Sequence, residues 1–193
     1  MTYTDGLSLW FIVVYALSIT AFIIVAIRFR AQRDAIEKQK GPLPSPGIFV
    51  PLGVPLLILL TRVGEIPAEW LSLRLIGLGL SLYYLVILLW TLRTLGRQFV
   101  PGAGIFRDHT LVTSGPFRFV RHPLYSASIT SWLGAALGTL NWLLLVLWPV
   151  LVAIVILVPV RHEEELLHEK FGKAYEVYAQ HTDRLIPKLW GRR

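Results

Sequence analysis

Long apolar runs alternate with short polar segments along the chain. A helix needs about 20 predominantly apolar residues to cross the hydrocarbon core of a bilayer. Five runs approach or reach that length, and the second and fourth are the shortest. The predicted spans are residues 7–27, 47–60, 70–92, 124–140 and 142–160. This pattern predicts an all-α fold, a polytopic transmembrane helical bundle with about five spans.

Short polar breaks separate the spans. The basic linker at residues 28–46 ends in a stretch rich in Pro and Gly that stops a helix, so we expect a loop there. Residues 138–142 leave room only for a tight hairpin between the last two spans. Gly134 and Gly138 offer a small-xxx-small face for close helix packing, although Gly is also simply frequent in membrane helices.

The chain divides into two parts after the third span. Residues 1–92 form an N-terminal transmembrane part with three spans and the basic linker. Residues 93–193 hold a loop at 93–123, two spans within 124–160 and a C-terminal segment at 161–193 that we predict to be a helix. The loop and the C-terminal segment are long and polar, so a reaction is expected there.

The basic residues indicate the orientation of the spans. Seventeen of the nineteen Lys and Arg residues lie in the linker, the loop and the C-terminal segment. Basic residues near spans are retained on the cytoplasmic side, and with five spans these three segments fall on one side. We therefore expect a multi-pass integral membrane protein with a non-cytosolic N-terminus and with a cytosolic loop and C-terminus.

The composition is typical of a protein whose surface contacts membrane lipid. Charged residues make up 16% and the mean hydropathy is +0.59, whereas a soluble domain carries about 25% charged residues. The absence of Cys excludes a disulfide framework, a thiolate nucleophile and a Cys-based metal site, and no metal site is predicted. The net charge of +7 is spread among hydrophobic helices, so we expect membrane lipids and no nucleic acid as partners. The pattern specifies no oligomeric state.

The loop at 93–123 is much longer than an ordinary connector of about 2 to 6 residues. It mixes glycines, which let the backbone approach a ligand closely, with His, Arg and Phe side chains. Loops of this length and aromatic content are typically functional. The alternative is structural: Arg118 and Arg121 would anchor the fourth span to lipid headgroups, and His122 would cap or pack at the helix start.

The C-terminal segment begins with acidic residues at the membrane surface, where carboxylates gain nothing from anionic lipid. Helical spacing lets Arg161 face Glu164 or Glu165. An apolar stripe headed by Glu163 continues through Leu167, Phe171, Tyr175 and Tyr178 and ends near residues 181–187. We expect this segment to fold back over the loop, and a simple amphipathic surface helix is the alternative.

Four short motifs carry a resemblance to a known family. They read HTLVTSGPF at 109–117, RHPLY at 121–125, EExxLxxxFGxxYxxY at 163–178 and RxxP at 184–187. In this order they resemble the isoprenylcysteine carboxyl methyltransferase family, and the related phospholipid methyltransferases share the C-terminal pattern. The resemblance covers roughly the half of the chain that follows Gly96.

The resemblance implies an enzyme of the EC 2.1.1 class that uses S-adenosylmethionine, enclosed by the loop and the C-terminal helix. It implies catalytic roles for Arg161, Glu163 and His122, with Arg161 as the contact for the substrate. Of the acidic residues, Glu163 is favoured as the cofactor contact, with Glu164 next. The cofactor contacts implied in this chain are His109, Thr110, Leu111, Val112, Phe117, His122, Pro123, Leu124, Tyr125, Glu163 and Glu164.

The acceptor chemistry distinguishes two enzymatic functions. The expected function is protein-S-isoprenylcysteine carboxyl O-methylation of a lipid-embedded prenylated cysteine, whose α-carboxyl has a pKa of roughly 3.5 and needs alignment but no general base. The alternative is a phospholipid N-methyltransferase acting on an ethanolamine headgroup, which needs a base such as His122 or a Glu with a raised pKa. A second alternative is a non-enzymatic membrane lipid-binding protein without cofactor affinity.

Overall fold

The computed structural model describes residues 3–30, 36–39, 46–66, 70–100, 104–155 and 160–187, and these are mostly helical. The helices and strands are α1 (Tyr3–Arg30), β1 (Ile36–Gln39), α2 (Pro46–Thr61), α3 (Leu71–Leu95), β2 (Gly104–Phe106), α4 (Pro123–Thr139), α5 (Trp142–Val155), α6 (Arg161–Phe171) and α7 (Lys173–His181). Two short 3₁₀ turns follow α3 and precede α4, at Gly96–Gln98 and Gly115–Arg118.

Each of the five predicted spans overlaps one of the helices α1 to α5, and Trp70 and Leu140 at the predicted ends lie just outside α3 and α4. Residues 156–159 of the fifth predicted span lie outside the described residues. Among the described residues, one helical stretch, Leu71–Gln98, is long and apolar enough to cross a membrane, and Ser8–Ala21 is a shorter apolar helix. The count of five spans and their orientation stay predictions.

The closest helix contact joins α3 to α4. The buried face of α3 recurs every three or four residues, and at Gly77 it meets the two glycines of α4 that the sequence offered for this role. A Cβ atom added at Gly77 would lie 2.3 Å from the backbone nitrogen of Gly138 and 2.5 Å from the carbonyl oxygen of Gly134. Only a residue without a side chain allows this approach.

Replacing Gly77 by alanine is therefore expected to push α3 and α4 apart and to destabilise the protein by about 1 to 3 kcal/mol, the usual cost of overpacking. Gly79 lies on the same helix with nothing within 4 Å of an added Cβ atom, so Gly79→Ala is the matched control. Thermal unfolding in detergent measures both variants. Equal melting temperatures for Gly77→Ala and Gly79→Ala would contradict the close contact.

The hairpin between α4 and α5 forms where the sequence predicts it. Leu140 adopts a left-handed conformation with φ of 52°. The side chain of Asn141 then accepts a hydrogen bond from the Leu144 amide at 3.0 Å and donates one to the Val63 carbonyl at 2.9 Å. These contacts tie the start of α5 to the segment that follows α2.

One part of the fold differs from the all-α prediction. Strand β1, within the predicted linker, pairs antiparallel with β2 of the loop, and Ile36 lies opposite Phe106. Residues 31–35 and 40–45 of that linker lie outside the described residues. The ribbon forms because Ile105 and Phe106 are buried, with Ile105 packed against Leu166 of α6, and a buried backbone needs hydrogen-bond partners.

The C-terminal segment is also not the single helix that the sequence predicts. Gly172 has a φ of 49° and separates α6 from α7, a conformation that favours glycine. Helix α7 ends at His181, near the predicted end of the apolar stripe, and residues 188–193 lie outside the described residues. The break does not disturb the stripe, since Tyr175 is buried and Tyr178 is half-buried.

Candidate active site

An open cleft lies between the C-terminal end of α3, the loop, the start of α4 and the two C-terminal helices. The space within it is about 1020 Å³ when the region open to solvent at its mouth is included. The predicted cofactor contacts that line it are His109, Thr110, Leu111, Val112, Phe117, His122, Pro123, Leu124, Tyr125 and Glu163. Two separate sequence segments therefore meet around one space.

Two predicted site residues do not line the cleft. Glu164 lies beside it and binds residues that do line it. Arg161 is the first residue of α6, and its side chain is exposed. Of the two carboxylates predicted to face it, Glu164 and Glu165, the first pairs with Arg121 and Arg184 instead.

Glu164 is the centre of a buried charged cluster. Its Oε1 atom accepts hydrogen bonds from Nε of Arg121 at 3.0 Å and from Nη2 of the same guanidinium at 2.8 Å. Its Oε2 atom pairs with Arg184, and Nε2 of His122 lies 3.4 Å from Oε1. These contacts join α6 to the residues before α4 and to the end of the chain.

Glu163 points to the other side of His122. The hydroxyl of Tyr125 donates a hydrogen bond of 2.7 Å to Oε1 of Glu163, and Nδ1 of His122 lies 3.4 Å from Oε2. Since a carboxylate oxygen has two lone-pair sites, Glu163 keeps acceptor capacity toward the cleft. His122 is 5% exposed and is held between two carboxylates.

The charges in this cluster set its protonation. Burial opposes the charged form of His122, but the hydrogen bonds and negative charges of Glu163 and Glu164 outweigh it and raise the pKa of His122 above 6.5. Burial would raise the pKa of Glu164, but hydrogen bonds from His122, Arg184 and Arg121 lower it to about 2. The cluster therefore keeps Glu164 ionised at neutral pH and favours the protonated form of His122.

These two pKa shifts predict that the protein becomes less stable both at low pH and at high pH. The lowered pKa of Glu164 contributes stability that is fully present above pH 4.5 and is lost as the pH falls toward about 2. The raised pKa of His122 contributes stability that is fully present below pH 6.5 and is lost as the pH rises through the pKa of His122 in the folded protein. Melting temperatures should peak between these limits, and Glu164→Gln should flatten both flanks. Parallel pH profiles for the variant and the wild type would contradict this role.

Helix α7 and the residues that follow it, up to Arg184, are fixed against the residues before α4, as the predicted folding back requires. The backbone amide of Arg121 donates to the carbonyl of Asp183 at 2.7 Å, and the amide of His122 donates to the carbonyl of Arg184 at 3.1 Å. The hydroxyl of Tyr178 donates to the carbonyl of Phe117 at 2.7 Å. The C-terminal segment is thus part of the cleft wall and not an isolated surface helix.

The two arginines proposed as lipid anchors have different surroundings. Arg121 binds Glu164 and the carbonyls of Ala179 and Thr182. The alternative prediction, that Arg121 anchors the fourth span to lipid headgroups, is therefore wrong. Arg118 is exposed and lies over the ring of Phe119 at 4.7 Å, a cation–π contact. Their positions in the sequence predict the same role for both arginines, whereas their contacts in the fold differ.

Sequence reasoning missed the wall that α3 contributes. Thr91, Leu95, Gln98, Phe99 and Val100 line the cleft, although no motif marks them. The available signal is positional, because Thr91 and Leu95 lie at the end of α3 and the other three residues follow it at the start of the loop. The side chain of Gln98 accepts a hydrogen bond from the amide of Thr110 at 3.3 Å, which ties this wall to the loop.

Three buried polar atoms of cleft-lining residues have no hydrogen-bond partner among the described residues. They are Nδ1 of His109, Oγ1 of Thr91 and the hydroxyl of Tyr175. Burial lowers the pKa of His109, the charge of Lys170 lowers it further and Asp108 partly opposes this, so the imidazole is neutral at neutral pH. Unpaired buried polar groups are costly, and these three indicate a ligand with polar groups. Within the same described part of the chain, no cluster of three or more His, Cys, Asp or Glu residues could hold a metal ion.

Comparison with known proteins identifies relatives of this chain. A nickel-cobalt-cadmium resistance protein, NccN, of Alcaligenes xylosoxydans xylosoxydans is 28% identical over 72% of this chain. A cobalt-zinc-cadmium resistance protein, CzcN, of Cupriavidus metallidurans is 35% identical over 43%, and protein-S-isoprenylcysteine O-methyltransferase B of Arabidopsis thaliana is 31% identical over 49%. These matches span 62%, 38% and 49% of the relatives' own lengths.

The family match covers the elements that build the cleft. The profile of the phospholipid methyltransferase family matches residues 73–174, just over half of the chain. That range includes most of α3, the whole loop, α4, α5 and α6. The chain belongs to the phospholipid methyltransferase family.

Proposed function

We propose that this protein is an S-adenosylmethionine-dependent membrane methyltransferase whose cofactor binds in the cleft. The observation that carries the proposal is the meeting of HTLV at 109–112, RHPLY at 121–125 and Glu163 around one space. Family membership and the relative named as an isoprenylcysteine O-methyltransferase support the same activity. Bound S-adenosylmethionine would supply an electrophilic methyl group on a sulfonium.

The residues of the cleft fit such a cofactor. The carboxylate of Glu163 suits an ammonium group or ribose hydroxyls, and the unpaired Nδ1 of His109 suits a hydrogen-bond donor. Phe117 offers an apolar face for the adenine base. The ring of Tyr125 offers the aromatic surroundings that a cation favours.

The proposed acceptor is the carboxylate of a prenylated cysteine. An acceptor that must lose a proton needs a base with a pKa near the working pH. The pKa of Glu164 is about 2, so this carboxylate is not suited to accept a proton, and the two carboxylates beside His122 favour its protonated form. A carboxylate with a pKa of roughly 3.5 is already ionised and needs only alignment.

Arg161 keeps a proposed role as the contact for this carboxylate. It begins α6 two residues before Glu163, and its exposed side chain is free of the Glu164 cluster. A planar guanidinium binds a carboxylate through two parallel hydrogen bonds, which a lysine does less well.

One observation favours a second candidate function, N-methylation of an ethanolamine headgroup. His109 lines the cleft with a neutral imidazole and an unpartnered Nδ1 atom within the part of the chain that the structure describes. Such a nitrogen is able to accept a proton from an ammonium acceptor. The same atom equally suits a hydrogen bond to the cofactor, so the first candidate stands ahead.

Methyl transfer from labelled S-adenosylmethionine to two acceptors tests the proposal. Protein purified in detergent is incubated with a prenylcysteine analogue or with phosphatidylethanolamine. The proposed function predicts label in a methyl ester, which alkali releases as methanol, with the first acceptor. Alkali-stable label in phosphatidylethanolamine would instead establish the second candidate, and label in neither would refute both.

A further inference from the structure

Thr91 occupies the last buried position on the face that α3 presents to α4. Its side chain is 1% exposed, and it lines the cleft. Leu88, one turn earlier, belongs to the hydrophobic core of the bundle and does not line the cleft. Thr91 therefore stands where the packed helices end and the cleft begins.

The hydroxyl of Thr91 differs from those of its neighbours Thr94 and Ser128. Tyr84 of α3 also has a buried hydroxyl without a partner among the described residues, but it lies in the core and does not line the cleft. Thr94, one turn later, donates to the carbonyl of Trp90 at 2.8 Å, and Ser128 of α4 donates to the carbonyl of Leu124 at 2.9 Å. Oγ1 of Thr91 is buried and has no partner among the residues described. A buried hydroxyl is costly to leave unpaired, so this one calls for a ligand atom.

The position of Thr91 indicates which ligand it meets. The predicted cofactor contacts lie on the loop, at the start of α4 and on α6. Thr91 lies within the apolar helix α3, two residues before Arg93, and it lines the cleft together with the apolar residues Leu95, Phe99 and Leu124. A water-soluble cofactor enters from the cytosolic side, whereas a lipid-borne acceptor arrives from the bilayer and meets this apolar wall.

We infer that Thr91 is an acceptor-binding residue whose hydroxyl donates a hydrogen bond to a carboxylate oxygen of the lipid-borne acceptor. The inference rests on the proposed function, since it assigns the membrane-side wall of the same cleft. The hydroxyl would hold the carboxylate at the end of the apolar wall, where the acceptor's hydrocarbon chain lies. Acceptors without an oxygen at that point would leave the hydroxyl unpaired and bind less well.

Thr91→Val tests this inference because valine keeps the shape of threonine and removes the hydroxyl. With a prenylcysteine analogue, KM should rise by roughly 10-fold or more, since the lost hydrogen bond is to a charged group. The affinity for S-adenosylmethionine should stay within about twofold, and the melting temperature should not fall, because no internal hydrogen bond is lost. Thr91→Ser retains the hydroxyl and should keep KM close to the wild type.

Thr94→Val is the matched control, because its hydroxyl bonds the helix backbone and its side chain is outside the cleft lining. It should leave both KM and cofactor affinity unchanged. Thr91→Ala is a second variant without the hydroxyl and should repeat the KM increase if valine impairs folding. The cofactor affinity is measured by calorimetry on each variant.

The outcomes separate this inference from the proposed function. A wild-type protein that methylates neither acceptor would refute the proposed function before any variant is compared. An active wild type with an unchanged KM in Thr91→Val would overturn the role of Thr91 alone. Equal loss of cofactor affinity would assign the hydroxyl to the cofactor, and a KM increase only with phosphatidylethanolamine would exclude a carboxylate partner, so either result overturns the inference.

Discussion

Replacement of Arg121 by alanine is expected to destabilise the protein and to abolish cofactor binding together. The guanidinium binds Glu164 through two nitrogens and reaches the carbonyls of Ala179 and Thr182. Its loss leaves a buried carboxylate and two carbonyls short of donors, and breaking a buried ion pair costs about 3 to 5 kcal/mol. For a chain of this size the melting temperature should fall by about 10 °C.

Arg118→Ala is the control for this prediction, since Arg118 carries the same charge three residues earlier but is exposed over Phe119. It should change the melting temperature by little. Arg121→Lys should recover only part of the stability, because an ammonium cannot bond Glu164 and both carbonyls in the same geometry. A melting temperature for Arg121→Ala equal to that of Arg118→Ala would show that the cluster is not a structural centre.

Glu163→Gln is expected to reduce the affinity for S-adenosylmethionine by roughly 10- to 100-fold and to reduce methyl transfer at least as much. Glutamine keeps the size of the side chain and one acceptor oxygen, but it removes the negative charge that faces the cleft. Hydrogen bonds to charged groups contribute about 1.5 to 3 kcal/mol, which corresponds to this loss of affinity. Calorimetry measures the affinity, and labelled methyl transfer measures the turnover.

Arg161→Ala is the comparison for Glu163→Gln, because both residues lie in the first turn of α6 and only Glu163 lines the cleft. It should leave the cofactor affinity within a few-fold of the wild type and reduce turnover of a prenylcysteine analogue. Unchanged cofactor affinity in Glu163→Gln would remove that residue from the cofactor site. Equal loss of cofactor affinity and turnover in Arg161→Ala would refute its role as the substrate contact.

The helices and much of the candidate site could be predicted from the sequence. Apolar runs and their breakers gave α1 to α5 with ends within a few residues, because solvation by lipid and helix geometry are local properties. The contact at Gly134 and Gly138 follows from the same local pattern. The gathering of His109, His122 and Glu163 around one cleft was implied by the resemblance and not by spacing.

The remaining features depend on contacts between distant parts of the chain. The ribbon of β1 and β2 joins residues 36–39 to residues 104–106, and strands of three or four residues carry little signal alone. Helical spacing predicts that Arg161 faces Glu164 or Glu165, but Arg121 and Arg184 approach Glu164 from other segments and pair with it. Thr91 resembles any threonine in an apolar helix until the cleft beside it is known.

A structure of the protein with S-adenosylhomocysteine, the demethylated cofactor, tests the central claim most directly. We expect density for the ligand in the cleft, in contact with Glu163 and with the loop residues His109 and Phe117. Methyl transfer assays alone do not locate the cofactor, whereas this density does. Ligand density at another site, or an empty cleft at a saturating ligand concentration, would contradict the account.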